Sequence, residues 1–425
     1  MTPETTPEVN QTVAPGVDLG RLMGEIEALA AFSDTPAPSV TRVLWTQPDR
    51  QARAFVLERF QAAGLRIRLD GLGNTFARWV GRDDTLPAVA TGSHTDAIPQ
   101  AGRYDGVVGV LGGLEAIRTL QAEGFSPARS LELILFTAEE PTRFGVGCLG
   151  SRAMSGALDE AALLALRGED GVGLDQARRA AGFDLPLDEV RLPSGQYAAF
   201  VELHIEQGPE LEREDLDIGV VSHIAAPASL LLHFSGEGGH AGARLMPGRR
   251  DALLAAAEAA LALERATLEA GAMDAVGTAG LLNVSPNAIN SIPSRVTMGL
   301  DLRDTDAGRR DATLARALAG AREAAARRGV TLEEQFLNAD PPAQADEAIM
   351  AATQAACRAR GYAARPLVSR AYHDALFMAR LAPTGMIFIP CRGGVSHRPD
   401  EYSSPGHIGR GVRVLADVLA ELSRG

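Results

Sequence analysis

The chain contains no lysine, and all 41 of its basic residues are arginine. That absence excludes Schiff-base chemistry and a phosphate-loop lysine, so aldolase, pyridoxal-phosphate and P-loop readings fall away. Cysteine is scarce as well. Cys148, Cys357 and Cys391 are odd in number and far apart, so they suggest neither a disulfide framework nor a thiolate zinc site. A reducing, cytoplasmic setting is the expectation. No run of about 18 apolar residues exists, so no membrane-spanning helix is expected. Residues 1–17 lack an apolar core and read as a disordered tail, not a signal peptide. The net charge of −13 disfavours nucleic acid and anionic membranes as partners. What is present is 425 residues with 46% hydrophobic content, enough for two globular domains.

Asp18–Phe32 and Asp49–Ala63 have helical spacing, and residues 65–69 and 74–80 read as a hairpin. The apolar run Leu86–Ala90 reads as a buried strand, followed by the loop Thr91–Gly106 and a helix over 107–120. Ser130–Thr137 is a second buried strand. Residues 150–195 read as a helical insert, and Phe200–His204 as a strand. This alternation predicts a doubly wound α/β sheet. From Ser222 the pattern changes to strand, helix, strand, strand, helix, strand, the βαββαβ order of a ferredoxin-like layer. The expected domains are therefore 18–221 with 339–425, and an inserted lid or oligomerisation module over 222–338.

Chemistry gathers where apolar strands end. His94 and Asp96 follow one, with Asp105 at a glycine-flanked turn; Glu139-Glu140 follow the second; His204 and His397 follow two more. In open α/β sheets that edge carries the ligand site. The His-x-Asp step lets His94 bind a metal through one ring nitrogen while Asp96 holds the other. Taken alone, the loop is explained equally by Asp105 as a helix N-cap, while a helix N-terminus is the alternative for the Glu pair. Taken together, five nitrogen and oxygen ligands without a thiolate fit two divalent ions such as Zn²⁺ or Mn²⁺.

Six motifs occur in order. They are Gly92-Ser-His94-x-Asp96, Gly102-x-x-Asp105-Gly-x-x-Gly109, Glu139-Glu140-Pro, Glu202-Leu-His204-Ile-Glu-Gln207-Gly-Pro, Gly239-His240-Ala-Gly and Ser396-His397-x-Pro-x-Glu401. From about residue 20 onward the chain resembles the metal-dependent amidohydrolase branch of the M20 peptidase family. That branch includes N-carbamoyl-L-amino acid hydrolases, β-ureidopropionases, allantoate amidohydrolases and ureidoglycolate amidohydrolases. The resemblance implies a metallopeptidase-like catalytic domain with a lid and dimerisation domain. It implies His94 and His204 on one ion, Glu140 and His397 on the other, and Asp105 on both. It further implies Glu139 as general base, Asp96 as orienter of His94, and His240 as the oxyanion group, serving the partner subunit of a homodimer. Gln207 would reach the substrate or the metals, and Asn290 and Arg303 would hold a substrate carboxylate.

Two departures narrow the substrate. Ala243-Arg-Leu-Met-Pro247 and Ser369-Arg-Ala-Tyr-His-Asp374 replace patterns common in the branch. Arg370 and Tyr372, with His373, fill space and add polar reach, which suits a small, doubly polar substrate. These segments are similar to the ureidoglycolate-type members, implying hydrolysis of a ureido C–N bond to glyoxylate, ammonia and carbon dioxide in purine-ureide breakdown. Carbamoyl-amino-acid and allantoate hydrolysis are the enzymatic alternatives, and a catalytically dead ureide- or metal-binding protein the non-enzymatic one.

Overall fold

The structure, a computed structural model, describes residues 14–424. The chain forms two compact units. The larger takes the chain up to Ser222, Ala345–Leu367 and His373 onward; the smaller takes His223–Gln344 and Val368–Tyr372.

In the larger unit, the strands Leu131–Leu135, Ala88–Ser93, Tyr197–Ile205 and Thr384–Ile389 lie side by side and parallel. Ala88–Ser93, Leu131–Leu135 and Thr384–Ile389 are buried throughout. That is why their sequences are mostly apolar and not strictly alternating, with Thr91, Ser93, Glu132 and Thr384 as buried polar exceptions. Antiparallel strands flank them: Thr75–Trp79 and then Arg66–Leu69 on one side, Ile218–Ile224 on the other. The fold is thus mixed α/β. The helices Val107–Ala122 and Pro405–Leu422 bury Leu111, Ile117, Val412 and Leu415 with Val201 and Leu203 of the sheet in one apolar core.

Several details differ from the sequence-based expectation, among them the assignment of Val368–Tyr372 to the smaller unit and two features of the N-terminal region. Of the expected tail, residues 1–13 lie outside the described residues, but Ala14 and Val17 are buried in the core. Ala14 packs on Gly409, whose missing side chain leaves room for it. The loop Thr91–Gly106 also contains a strand, Ala97–Ala101, paired with Val40–Arg42. Buried Arg42 ties it down, donating to the carbonyls of Thr95 (2.6 Å), Leu29 (2.7 Å) and Phe32 (3.0 Å). A long-range arginine contact of this kind leaves no periodic trace.

The smaller unit holds an antiparallel sheet in the order Val276–Ser285, Arg295–Asp304, Ala226–Ser235, Thr331–Ala339. Its inward row, Leu230, Leu232, Phe234, Val296, Met298, Leu300 and Leu302, packs on the helices Ala252–Glu269 and Ala307–Arg328. The helices meet the sheet through small residues such as Ala255, Ala259, Ala317 and Ala321.

Candidate active site

Each of the four parallel strands of the larger unit delivers functional side chains at its carboxyl end. His94 and Asp96 follow Ala88–Ser93, and Glu139 and Glu140 follow Leu131–Leu135. His204 and Gln207 stand at the end of Tyr197–Ile205, and His397 follows Thr384–Ile389. The N-cap of Val107–Ala122 is Gly106, with no side-chain cap, so Asp105 is left to point elsewhere. Its Oδ1 lies 3.1 Å from His204 Nε2 and 3.6 Å from His94 Nε2. Its Oδ2 lies 3.3 Å from His397 Nε2, which is 3.2 Å from Glu140 Oε1. Two groups result, His94/Asp105/His204 and Asp105/Glu140/His397, each with ligand atoms within 4.8 Å of one another. Asp105 gives one oxygen to each. Glu139 Oε2 is 3.7 Å from His94 Nε2.

Charge is concentrated here beyond what burial alone tolerates. Burial would raise the Asp105 carboxyl, but hydrogen bonds with His204, His397 and His94 outweigh it and hold it well below the carboxylate range. Burial, opposed by His94, pushes Glu139 well up, and Glu140 and Asp374 add to the rise. Hydrogen bonds to Asp105 and Glu140 push His397 up to about 11. The carboxylates thus draw positive charge into the edge.

The surroundings orient these groups. His94 Nδ1 is 3.0 Å from the Asp96 carbonyl and 3.5 Å from its Oδ1. The ring nitrogen thus faces both the backbone carbonyl and the carboxylate of Asp96, the carbonyl being nearer. The Asp96 carboxylate also accepts the N–H groups of Glu139 (3.3 Å) and Glu140 (3.0 Å), joining two strand ends. His204 Nδ1 sits 2.9 Å from the Ile205 carbonyl. With Nδ1–H donated to a carbonyl, the Nε2 of each ring is left as the lone-pair side. Glu401 accepts the N–H groups of Tyr104 (2.8 Å) and Asp105 (3.2 Å) and lies 2.9 Å from Ser396 Oγ, which is 2.8 Å from Asp105 Oδ2. Gln207 Nε2 donates to the same Asp105 oxygen at 2.7 Å. Its Oε1 has no partner among the described residues. Gly106, at φ 64°, packs against His94: a Cβ there would lie 2.5 Å from the ring. Ala138, Cys148, Gln207 and His397 also take positive φ (52–58°), so backbone strain collects at this edge.

Four residues given no role from sequence belong to this surround: Ser396 and Glu401 under Asp105, and Glu202 and Asp374 deeper in. Glu202 accepts from Ser93 Oγ (2.8 Å) and forms a buried group with His204 and His373. The His373 ring stands edge-on to His204, 4.5 Å between centroids. Asp374 takes the Ser151 hydroxyl at 2.5 Å. The only sequence signal for them was their place inside the motifs.

The remaining candidates lie in the smaller unit, at two places. Exposed His240 and Asn290 share one corner, where Gly239–His240 pairs with Ser291–Ile292 and the Ala241 N–H donates to the Asn290 carbonyl (2.8 Å). Arg303 is at the other end of Arg295–Asp304. It donates to Asp301 Oδ1 (2.7 Å) and to the Arg370 carbonyl (3.1 Å). Arg370 pairs with Asp274 and the Tyr372 hydroxyl with Asp340, both at 2.7 Å. His240 and Arg303 are thus not brought together within one smaller unit. Asn290 and Arg303 are separated by the strand between them, on the order of 25 Å at the rise of an extended chain.

Comparison with known proteins agrees with this architecture. Residues 90–421 match the model of peptidase family M20/M25/M40. The chain is 52% identical to a ureidoglycolate hydrolase of Arabidopsis thaliana, covering 98% of this chain and 89% of that protein. It is 37% identical to an N-carbamoyl-L-amino acid amidohydrolase of Geobacillus stearothermophilus over 95% of this chain and 98% of that protein. The crystal structure of AtUAH in complex with glyoxylate superposes with a TM-score of 0.90 at 50% identity, over 97% of this chain and 100% of that one. The chain belongs to peptidase family M20/M25/M40.

Proposed function

We propose that this hydrolase cleaves the ureido C–N bond of ureidoglycolate, releasing glyoxylate, ammonia and carbon dioxide. The observation that carries the chemistry is the meeting of Glu139 and His94 beside two ligand groups that share Asp105. The substrate follows from the relatives: the Arabidopsis protein is named for ureidoglycolate, and AtUAH was solved with glyoxylate.

The donor set fits two divalent ions. It offers imidazoles and carboxylates without a thiolate, and Asp105 turns one oxygen to each group, which suits Mn²⁺ or Zn²⁺. Held by His94, Asp105 and His204 and by Asp105, Glu140 and His397, the ions would supply positive charge beside the scissile carbonyl and make water more acidic. Glu139 takes the proton of the attacking water and delivers it to the leaving nitrogen. Its raised proton affinity suits both halves of that task. Gln207, with Nε2 committed to Asp105, turns an acceptor oxygen toward the N–H groups that only a ureido or amide substrate brings.

On this reading the smaller unit is the lid. Arg303 grips the substrate carboxylate, held ready by Asp301 and the Arg370 carbonyl. Arg370 and Tyr372 shape that grip through their ion pair and hydrogen bond, and His373 lines the His204 side. His240 stabilises the oxyanion, and Asn290 adds a contact. The distance between the His240–Asn290 corner and Arg303 supports a homodimer in which each lid serves two sites. Leu281 and Leu282, exposed on the outer strand, offer apolar surface to such a partner. The three thiols, all free, suit a cytoplasmic setting.

The test is ammonia release from ureidoglycolate by the purified, Mn²⁺-loaded protein. Turnover supports the assignment; none, with good turnover of N-carbamoyl amino acids, replaces it with the carbamoylase activity of the Geobacillus relative. Mixing His240→Ala and Glu139→Gln proteins tests the dimer. Shared sites restore part of the activity in mixed dimers, and a self-sufficient chain gains nothing by mixing.

A further inference from the structure

We propose that Cys148 is a positioning residue for Glu139, holding one oxygen of that carboxylate so that the other is presented to the reaction. The inference rests on the reading of Glu139 as the base. Cys148 Sγ lies 3.5 Å from Glu139 Oε1, within hydrogen-bond reach for sulfur. Oε2 is the oxygen that approaches His94. The two carboxylate oxygens therefore have separate partners, a thiol behind and the ligand groups in front.

The backbone fixes this arrangement. The Cys148 N–H donates to the Glu139 carbonyl (2.7 Å), Leu149 to Ala138 (2.8 Å) and Gly150 to Thr137 (2.8 Å). This short ladder lays residues 148–150 along 137–139. Ala138 and Cys148 both adopt left-handed backbone (φ 55° and 52°), which sets the thiol against the carboxylate. Such strain in non-glycine residues persists where neighbouring contacts over-determine it. Cys148 is fully buried, so no water competes for Glu139 Oε1 from that side. Burial and the nearby Glu139 charge push the thiol well up, so it remains an S–H donor. A thiol is a weak donor. It can fix the orientation of a base while taking less of its basicity than a hydroxyl or ammonium would.

The expected result is a graded loss confined to turnover. Cys148→Ala removes the donor and lowers kcat roughly tenfold. KM and bound metal stay as in the wild type, because Glu139 is not a ligand. Cys148→Ser restores a donor and recovers part of kcat. A second readout needs no activity. The infrared S–H stretch missing from the Cys148→Ala difference spectrum should lie at the low frequency of a bonded thiol and move up in Glu139→Ala. A Cys148→Ala enzyme with full kcat beside an inactive Glu139→Gln enzyme overturns the positioning role and leaves the base standing. Full turnover in Glu139→Gln overturns the base itself. If Cys148→Ala does not fold, the Cys148→Ser kinetics and the wild-type band decide; a band at the unbonded frequency, unmoved by Glu139→Ala, rejects the proposal.

Discussion

Along Arg295–Asp304 in the smaller unit, side chains alternate strictly between the helix-covered and the open face of the sheet, and the buried row is entirely apolar apart from Asp304 at its end. At the carboxyl ends of the parallel strands in the larger unit the rule is reversed. His94, Asp96, Asp105, Glu139, Glu140 and His204 are all buried. They are reached through left-handed residues that a strand or helix would avoid. The first region is stable because each position satisfies local geometry and burial together. The second holds groups whose burial is unfavourable one by one and becomes tolerable only through their mutual pairing and, in the proposed holoenzyme, through cations. One part of a chain can thus be specified by pattern while another is specified by partners.

That contrast can be broken experimentally, beginning with the largest effect. Chelation should abolish ureidoglycolate turnover and lower the melting transition of the larger unit, leaving that of the smaller unit in place. Calorimetry with and without added Mn²⁺ reads both, and an equal shift of the two transitions would contradict the assignment of ligands to one unit. Next, Glu139→Gln should reduce kcat by about a thousandfold with metal content unchanged. Retention of activity would mean that the strand edge positions ligands only. In the smaller unit, Phe234→Ala removes a side chain that is 1% exposed and should destabilise that unit by roughly 3–4 kcal/mol without altering bound metal. Denaturation followed by a probe in the smaller unit measures it.

The smallest effect concerns pH. Burial, opposed by hydrogen bonds from Asn74 and Leu72, raises Asp70 from its ordinary 3.8 to about 6. The folded chain therefore holds that proton more tightly than the unfolded chain. The resulting stability is fully present below pH 3.8 and is lost as pH rises through 6, a difference of roughly 2–3 kcal/mol. In metal-free protein, comparing wild type with Asp70→Asn between pH 4 and pH 7 isolates it. Parallel pH profiles for the two proteins would show that Asp70 titrates as in the unfolded chain.

Much of the fold was legible because its elements repeat a period or are predominantly apolar. The helices Leu19–Ala30 and Ala307–Arg328 and the strand Leu131–Leu135 are of this kind. The strands Ala97–Ala101 and Ala364–Ser369 were not, because each is largely part-exposed and shows neither an apolar run nor a clean alternation. The burial of Ala14 was hidden because it depends on Gly409 at the other end of the chain.

By itself, the sequence determined which residue types were available for chemistry. It has no lysine, few thiols, and histidines and acids placed just after apolar strands. Tertiary structure alone decided how those groups pair. It assigned Asp105 one oxygen for each ligand group, gave His94 the Asp96 carbonyl, and set Cys148 behind Glu139. It also tied Arg370 and Tyr372 to Asp274 and Asp340. The physical reason is that a strand end fixes where a side chain starts. Which atom it meets depends on loops from other strands arriving at the same edge, and no local pattern encodes that meeting.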